Sequence, residues 1–444
     1  MKTPYVPHLF GDDALAKVAR RVGWLTAGVA SSIAWPQDDV WVEYDGNEYL
    51  LHGDRQEGER RLTPCISTPA NRAQVDDALA HLYRFTSVLG FYKRGYVDIT
   101  GQIWGSRLIR YSTGTSHQAL LQAGTRTFDC NHMPVIDDDQ VRKALAFLRE
   151  GRRLKHVHEP YSFLSFFKVI ESQFEANARI AWVEQNLALI TEERAVGRIN
   201  ELRSQGINVN QHLFASGRCA VAHASVGGNI VDPDIPADRK RIAADLDIIE
   251  ELANRYIKFD AGVPDEGVLY DTRDRLAPWH ALMPRESVAA LKAGGHLESA
   301  DDLGELNGAA VSVRLWPDPP AQQFTVMRLM PIESGDGIVK FIALSARGTV
   351  VLTFAMDFTN GRLHTLLDES GMRAGGEMSE QDVEDFTRYL HSVIGNRTVE
   401  LSIEGAEPVD CEVVIPLNII PRAPEEAVAE ALEQFRRSRE ERAG

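Results

Sequence analysis

Between residues 159 and 260 the sequence keeps a single hydrophobic period, and that stretch constrains the fold more than any other. Phe163, Phe166, Phe167, Ile170, Phe174 and Ala181 recur at helical spacing and make a broad apolar stripe, which predicts a helix from Tyr161 to about Asn186. Glu192–Ser204, ended by Gly206, predicts a second helix, and Asn208 is placed to cap a third beginning at Val209. After a Gly- and Pro-rich loop over 227–236, Ile242, Leu246, Ile249, Ala253 and Tyr256 define a fourth over Ala237–Lys258. Four amphipathic helices with short joints predict a bundle of about a hundred residues.

The third helix carries the chemistry. Residues 215–223 read Ala-Ser-Gly-Arg-Cys-Ala-Val-Ala-His, so Arg218, Cys219 and His223 stand out from a crowded surface of small side chains. An imidazole exchanges protons near neutrality, and a guanidinium stabilises charge on a phosphorane. Together they can cleave RNA without a metal. On a regular helix, five residues set the two side chains about 140° apart and roughly 7.5 Å apart along the axis. They converge only at a distorted turn, which Gly217 permits, or if a second subunit completes the site. The bland alternative is a packed helix with a satisfied core histidine. Cys219 and His223, four apart, also share a face, as a thiolate–imidazolium pair requires, but no orienting acid or oxyanion motif accompanies them.

Other charged clusters admit two readings each. Asp137, Asp138 and Asp139 precede a helical pattern and read as a cap, or less simply as metal ligands. Arg142, Lys143, Arg149, Arg152, Arg153 and Lys155, followed by His156 and His158, are either a solvated helix end or a phosphate footprint. Arg239, Lys240 and Arg241 fill the first turn of the fourth helix, where the dipole disfavours cations by a few tenths of a kcal/mol each. Local pairing with Asp232, Asp234 and Asp238 is one explanation, and phosphate binding the other. No metal or other cofactor is expected from any of these patterns.

The 444 residues are long enough for several domains, and the fold class expected is α+β multidomain. Residues 1–155 read as an N-terminal α/β domain. Strands are expected at Trp24–Trp35, Val40–Tyr44, Tyr49–His52, Tyr96–Trp104 and Leu108–Tyr111, with a helix over Asn71–Tyr92. Residues 156–262 are the bundle and 263–305 a connector with a short helix near Arg285–Ala293. Residues 306–421 read as a C-terminal α+β domain. Its strands are expected at Ala309–Trp316, Phe324–Pro331, Val339–Ser345, Thr349–Asp357, Thr398–Ile403 and Cys411–Pro416, with a helix over Glu380–Ile394 capped by Ser379. Residues 422–444 predict a helical tail that docks or binds a partner. A net charge of −16 argues against a general nucleic-acid coat but not against a local basic patch. Four dispersed cysteines and the lack of a signal-like start lead to the expectation of a cytoplasmic protein with no membrane association.

The four-helix segment, with Arg218 and His223 spaced as R-x4-H near the end of its third helix, resembles a HEPN domain. The phrases around Lys168–Glu171, Gly217–Ala224 and Asp245–Ala253 are most similar to the methylamine utilization MauJ-like and ApeA-like branches. The resemblance covers about 100 residues. It implies a helical bundle that usually forms a homodimer and, in active members, a metal-independent ribonuclease acting in stress or phage defence. It would make Arg218 and His223 catalytic, with Lys168, Glu171 and Cys219 supporting them and Arg239, Lys240 and Arg241 holding RNA phosphate. Active members often carry a polar residue directly after the Arg, where this chain has Cys219. Some members only bind nucleotides or partners. The rival expectation is therefore a non-catalytic dimerising scaffold whose flanking domains hold protein partners.

Overall fold

The computed structural model describes residues 2–57, 60–111, 124–125, 128–155, 157–222, 231, 236–373, 377–395, 397–413 and 422–443. The chain forms two compact units, Met1–Asp271 and Thr272–Gly444.

In the first unit, β1 (His8–Leu9) and α1 (Gly11–Ala19) precede β2 (Trp24–Ser31), β3 (Trp35–Pro36), β4 (Val40–Tyr44), β5 (Asn47–His52), β6 (Arg55–Glu57), β7 (Arg60–Leu62) and β8 (Cys65–Pro69). Helix α2 (Val75–Tyr92), β9 (Val97–Gly105) and β10 (Gly124–Thr125) follow. Six strands form one sheet in the order β1-β4-β5-β8-β2-β9, and every pairing in it is antiparallel. Asp45 and Gly46, both at positive φ, turn β4 into β5 as the hairpin chemistry predicts. Leu25, Ala27, Val29, Leu51 and Ile66 alternate along their strands onto the face that meets Leu82, Phe85 and Leu89 of α2. Trp24, Trp41 and Leu50 form a separate small cluster with Ala14 of α1. Leu108–Tyr111 is not a strand.

The same core runs on into the helices. These are α3 (Asp139–Leu154), α4 (Glu159–Glu171), α5 (Ala176–Leu187), α6 (Glu193–Ser204), α7 (Val209–His212), α8 (Ala220–Ala222) and α9 (Pro236–Arg255). The helix expected over Tyr161–Asn186 is two helices, broken between Glu171 and Ala176. Helical periodicity of the apolar residues survives the break, which is why pattern alone did not reveal it. Asp138 caps α3, accepting from the backbone N–H groups of Gln140 and Val141, and Asn208 caps α7 through Gln211. Within the basic run on α3, Arg142 pairs with Asp139 and Lys143 is exposed, while the rest is paired across the fold. Arg149 and Arg153 pair with Asp98, Arg152 with Glu250, and Lys155 bridges Asp247 and Glu250 at 2.7 and 2.6 Å. It is an internal clamp between sheet and helices and not a phosphate footprint. His156 lies outside the described residues, and His158 caps α4, its Nδ1 accepting from the Tyr161 N–H.

The second unit holds a closed seven-stranded barrel ordered β11-β12-β13-β14-β15-β17-β16. Its strands are β11 (Ala310–Leu315), β12 (Met327–Gly335), β13 (Ile338–Ser345), β14 (Val350–Asp357), β15 (Arg362–Met372), β16 (Val399–Ile403) and β17 (Val409–Val413). Neither the closure nor β15 was expected from sequence. Helices α10 (Glu266–Thr272) and α11 (Arg285–Lys292) lead into it, and α12 (Glu380–Ile394) packs Phe386, Tyr389 and Val393 into the barrel core. Ser379 and Asp382 form the capping box that their spacing predicts. The tail helix α13 (Pro424–Ala443) lies along α12, with Arg436 on Glu380 at 2.5 Å and Ala427 and Val428 buried. Among the described residues, no helix is long and apolar enough to cross a membrane.

Candidate functional site

The third helix of the central region is not a regular α-helix. Between α7 and α8, Leu213–Cys219 forms π-helical turns, an uncommon widening that recurs at functional sites. Gly217 lies inside it, against the ring of Phe163 on α4, which is fully buried. A Cβ at this position would meet the Phe163 Cζ at 2.4 Å, so glycine is required by the close approach of two helices and not by its φ. Gly217→Ala is expected to destabilise the unit. The overlap costs about 1–3 kcal/mol and outweighs the gain of up to about 1 kcal/mol in helix propensity. Phe163→Leu in the same chain should recover part of the loss, so a double-mutant cycle by urea unfolding should show coupling of about 0.5 kcal/mol or more. Additive losses would mean that the two residues do not press on each other.

The turn aims Arg218 at the end of α4. Its Nη2 lies 3.0 Å from Glu171 Oε1 and its Nε 3.3 Å from Oε2, a two-point contact on one carboxylate. Arg179 on α5 reaches the same carboxylate, Nη1 to Oε1 at 3.4 Å. The Arg179 guanidinium also sits over the rings of Phe167 and Phe214, with 5.5 and 4.8 Å to the centroids. Phe214 is itself exposed at the edge of this cluster. The structure therefore brings Glu171 and Arg218 together and adds Arg179 and Phe214, which sequence reading missed. It sends Lys168 elsewhere, over the ring of Phe147 on α3. Cys219 is a half-buried free thiol. His223, with Asp232 and Asp234, lies outside the described residues.

Two of the three cations expected to hold phosphate have partners in the protein. Arg239 donates to Glu159 at 2.9 and 2.5 Å. Arg241 donates to the Ser216 carbonyl at 2.5 Å and lies 3.9 Å from Asp238. Lys240 is exposed. The dipole penalty on these first-turn cations is thus offset by neighbouring acids and a carbonyl.

A buried carboxylate pins α7, which leads into the π-helical turn. Asp245 on α9 is fully buried and accepts from Arg198 Nε and pairs with His212 Nε2, both at 2.8 Å. The signal was present in the sequence: 245 belongs to the apolar series 242, 246, 249, so an aspartate there needs buried partners. Among the described residues, no group of three or more His, Cys, Asp or Glu is arranged to hold a metal ion.

Residues 144–258 match the family model described as methylamine utilization protein MauJ. The matched segment runs from within α3 into the turns after α9 and contains the Arg218–Glu171–Arg179 cluster, so the central region of the chain is MauJ-like. No curated protein matches the chain, and neither does any solved structure.

Proposed function

We propose that the MauJ-like segment is a HEPN-type module that cleaves RNA without a metal, acting in the cytoplasm in a stress or phage-defence setting. Arg218 stabilises charge on the phosphorane and His223 carries the proton. The 2′-hydroxyl attacks the adjacent phosphorus, the bond to the 5′ oxygen breaks, and the products are a 2′,3′-cyclic phosphate and a 5′-hydroxyl. The observation that carries this reading is the placement of Arg218 on a π-helical turn, with its guanidinium held by two points on Glu171 inside the matched segment. Glu171 aims the guanidinium, and the planar fork that grips a carboxylate also matches a phosphoryl group. Lys240 is the exposed cation for the RNA backbone, beside Arg239 and Arg241, and the bundle is the homodimer contact.

A second reading, a non-catalytic scaffold whose flanking regions hold partners, is favoured by one observation: Arg239 and Arg241 are engaged by Glu159 and the Ser216 carbonyl. Purified protein incubated with bulk tRNA and single-stranded RNA in EDTA separates the two, run beside Arg218→Ala and His223→Ala. Cleavage by the parent alone, leaving 2′,3′-cyclic phosphate ends, is the expected result. Cleavage that survives in either variant removes Arg218 and His223 from their roles. A dimer that cleaves nothing supports the scaffold.

A further inference from the structure

We infer that Glu171 is a built-in stand-in for phosphate, a carboxylate that occupies an RNA phosphate subsite formed by Arg218 and Arg179. The inference rests on the ribonucleolytic reading only in taking RNA as the ligand. Two guanidinium groups converge on one carboxylate, Arg218 with two contacts of 3.0 and 3.3 Å and Arg179 with one of 3.4 Å. The fork that clasps a carboxylate also clasps a phosphate oxygen pair.

Glu171 is also poorly placed for permanence. It is the last residue of α4, where the helix dipole disfavours an anion by about 0.3–1 kcal/mol. Its side chain keeps a quarter of its surface in solvent, as does that of Arg218 (25% and 23%), so a competing anion can reach the pair. The break between α4 and α5 begins at the next residue, so Glu171 stands at a helix end and not within a continuous helix. Arg179, by contrast, is fixed between Phe167 and Phe214 and stays when the carboxylate leaves. The exposed ring of Phe214 beside it suits an unpaired base, so the ligand is single-stranded RNA held at one phosphate with a neighbouring base on the aromatic edge.

The test measures binding apart from cleavage. A fluorescein-labelled, fully 2′-O-methylated single-stranded oligonucleotide lacks the attacking hydroxyl and reports binding alone by anisotropy. Glu171→Gln should bind it about two- to fivefold more tightly than the parent, the range set by losing one exposed competing ion pair. Its affinity should also fall more steeply with salt, the slope steepening by about 0.7 for one added phosphate contact. The gain should vanish when Arg218→Ala or Arg179→Ala is added. Glu184→Gln, which removes the same charge from an exposed position on α5, should show no gain. If Glu171→Gln melts early, Glu171→Asp serves, because the shorter acid cannot span both arginines and should give a smaller gain. Unchanged or weaker binding by a folded Glu171→Gln overturns the inference and makes Glu171 a positioning residue. Cleavage of unmodified RNA by the parent without that gain removes this inference alone. The gain without cleavage removes the nuclease reading alone, and no binding by either protein overturns the stand-in.

Discussion

Replacing Asp245 by alanine should cost the Met1–Asp271 unit about 3–5 kcal/mol, the expense of breaking a buried ion pair by removing one partner. Asp245 has no exposed surface, and it ties α9 to Arg198 of α6 and His212 of α7. Without it, the Arg198 guanidinium keeps its contact to Glu201 at 2.8 Å but faces an apolar gap on its other side. His212 loses the group that fixes its ring. Asp245→Asn should cost less, because the amide oxygen still accepts one bond while the charge is lost. Urea unfolding of the full chain should show the alanine variant shifted down by about 1 M in the transition of this unit, given slopes of a few kcal/mol/M. A shift within error of the parent would mean that Arg198 and His212 find other partners or water, and that Asp245 does not hold the π-helical turn in place. His212 immediately precedes that turn, so a large loss would tie the geometry of Arg218 to a carboxylate on a different helix.

What the sequence made legible follows from which interactions are local. Helix caps are the clearest case. Asp138, Asn208 and Ser379 bond to backbone groups two or three residues away, so their spacing alone identifies them. The hairpin at Asp45 and Gly46 and the stripe on α9 are local in the same sense. The distortion at Gly217 was legible as a possibility but the close helix contact there was not, because Phe163 comes from 54 residues earlier. The charges on α3 were misleading for a related reason: their acids lie at 98, 247 and 250, far in sequence, so a compensated clamp read as an uncompensated patch. The barrel shows the limit most plainly. Six of its strands carry recognisable apolar patterns, alternating in β13 and continuous in β14. Closure depends on β15, whose second half, Asp368-Glu369-Ser370-Gly371, has no apolar alternation, and on its parallel pairing with β17 across His364–Glu412 and Thr365–Val413. At the site, Glu171 was singled out but Arg179 was not, since the break in the helix between them turns an eight-residue separation into a contact.

Acidification should weaken the same unit through a histidine that no sequence pattern marks. His52 on β5 is buried, and its Nε2 shares a hydrogen bond of 2.7 Å with the Ser67 hydroxyl, which in turn meets Thr26 Oγ1 at 2.7 Å. Its Nδ1 is buried without a hydrogen bond, 3.9 Å from the Asp39 carboxylate. The imidazole is lowered from 6.5 to about 4 overall, and burial is the largest cause. Asp39 pulls it back up, and Arg110 and Arg55, both paired to Asp39, push it further down. The sign follows from which state binds the proton. In the unfolded chain His52 protonates as pH falls through 6.5, while in the fold it stays neutral until about 4. Between those values the unfolded state binds more protons, so stability drops as the pH is lowered. The full shift is worth about 3 kcal/mol, and about 2 kcal/mol should already be lost between pH 7 and pH 5. Most carboxylates do not titrate in that interval, so His52→Gln should flatten the curve there even if it lowers stability at pH 7. Tryptophan fluorescence in urea at each pH reads this directly, since the Trp35 indole donates to the His52 carbonyl at 2.8 Å. A parent and a variant that decline in parallel would place the acid sensitivity elsewhere, and would mean that the imidazole takes its proton inside the fold with Asp39 moving in to meet it.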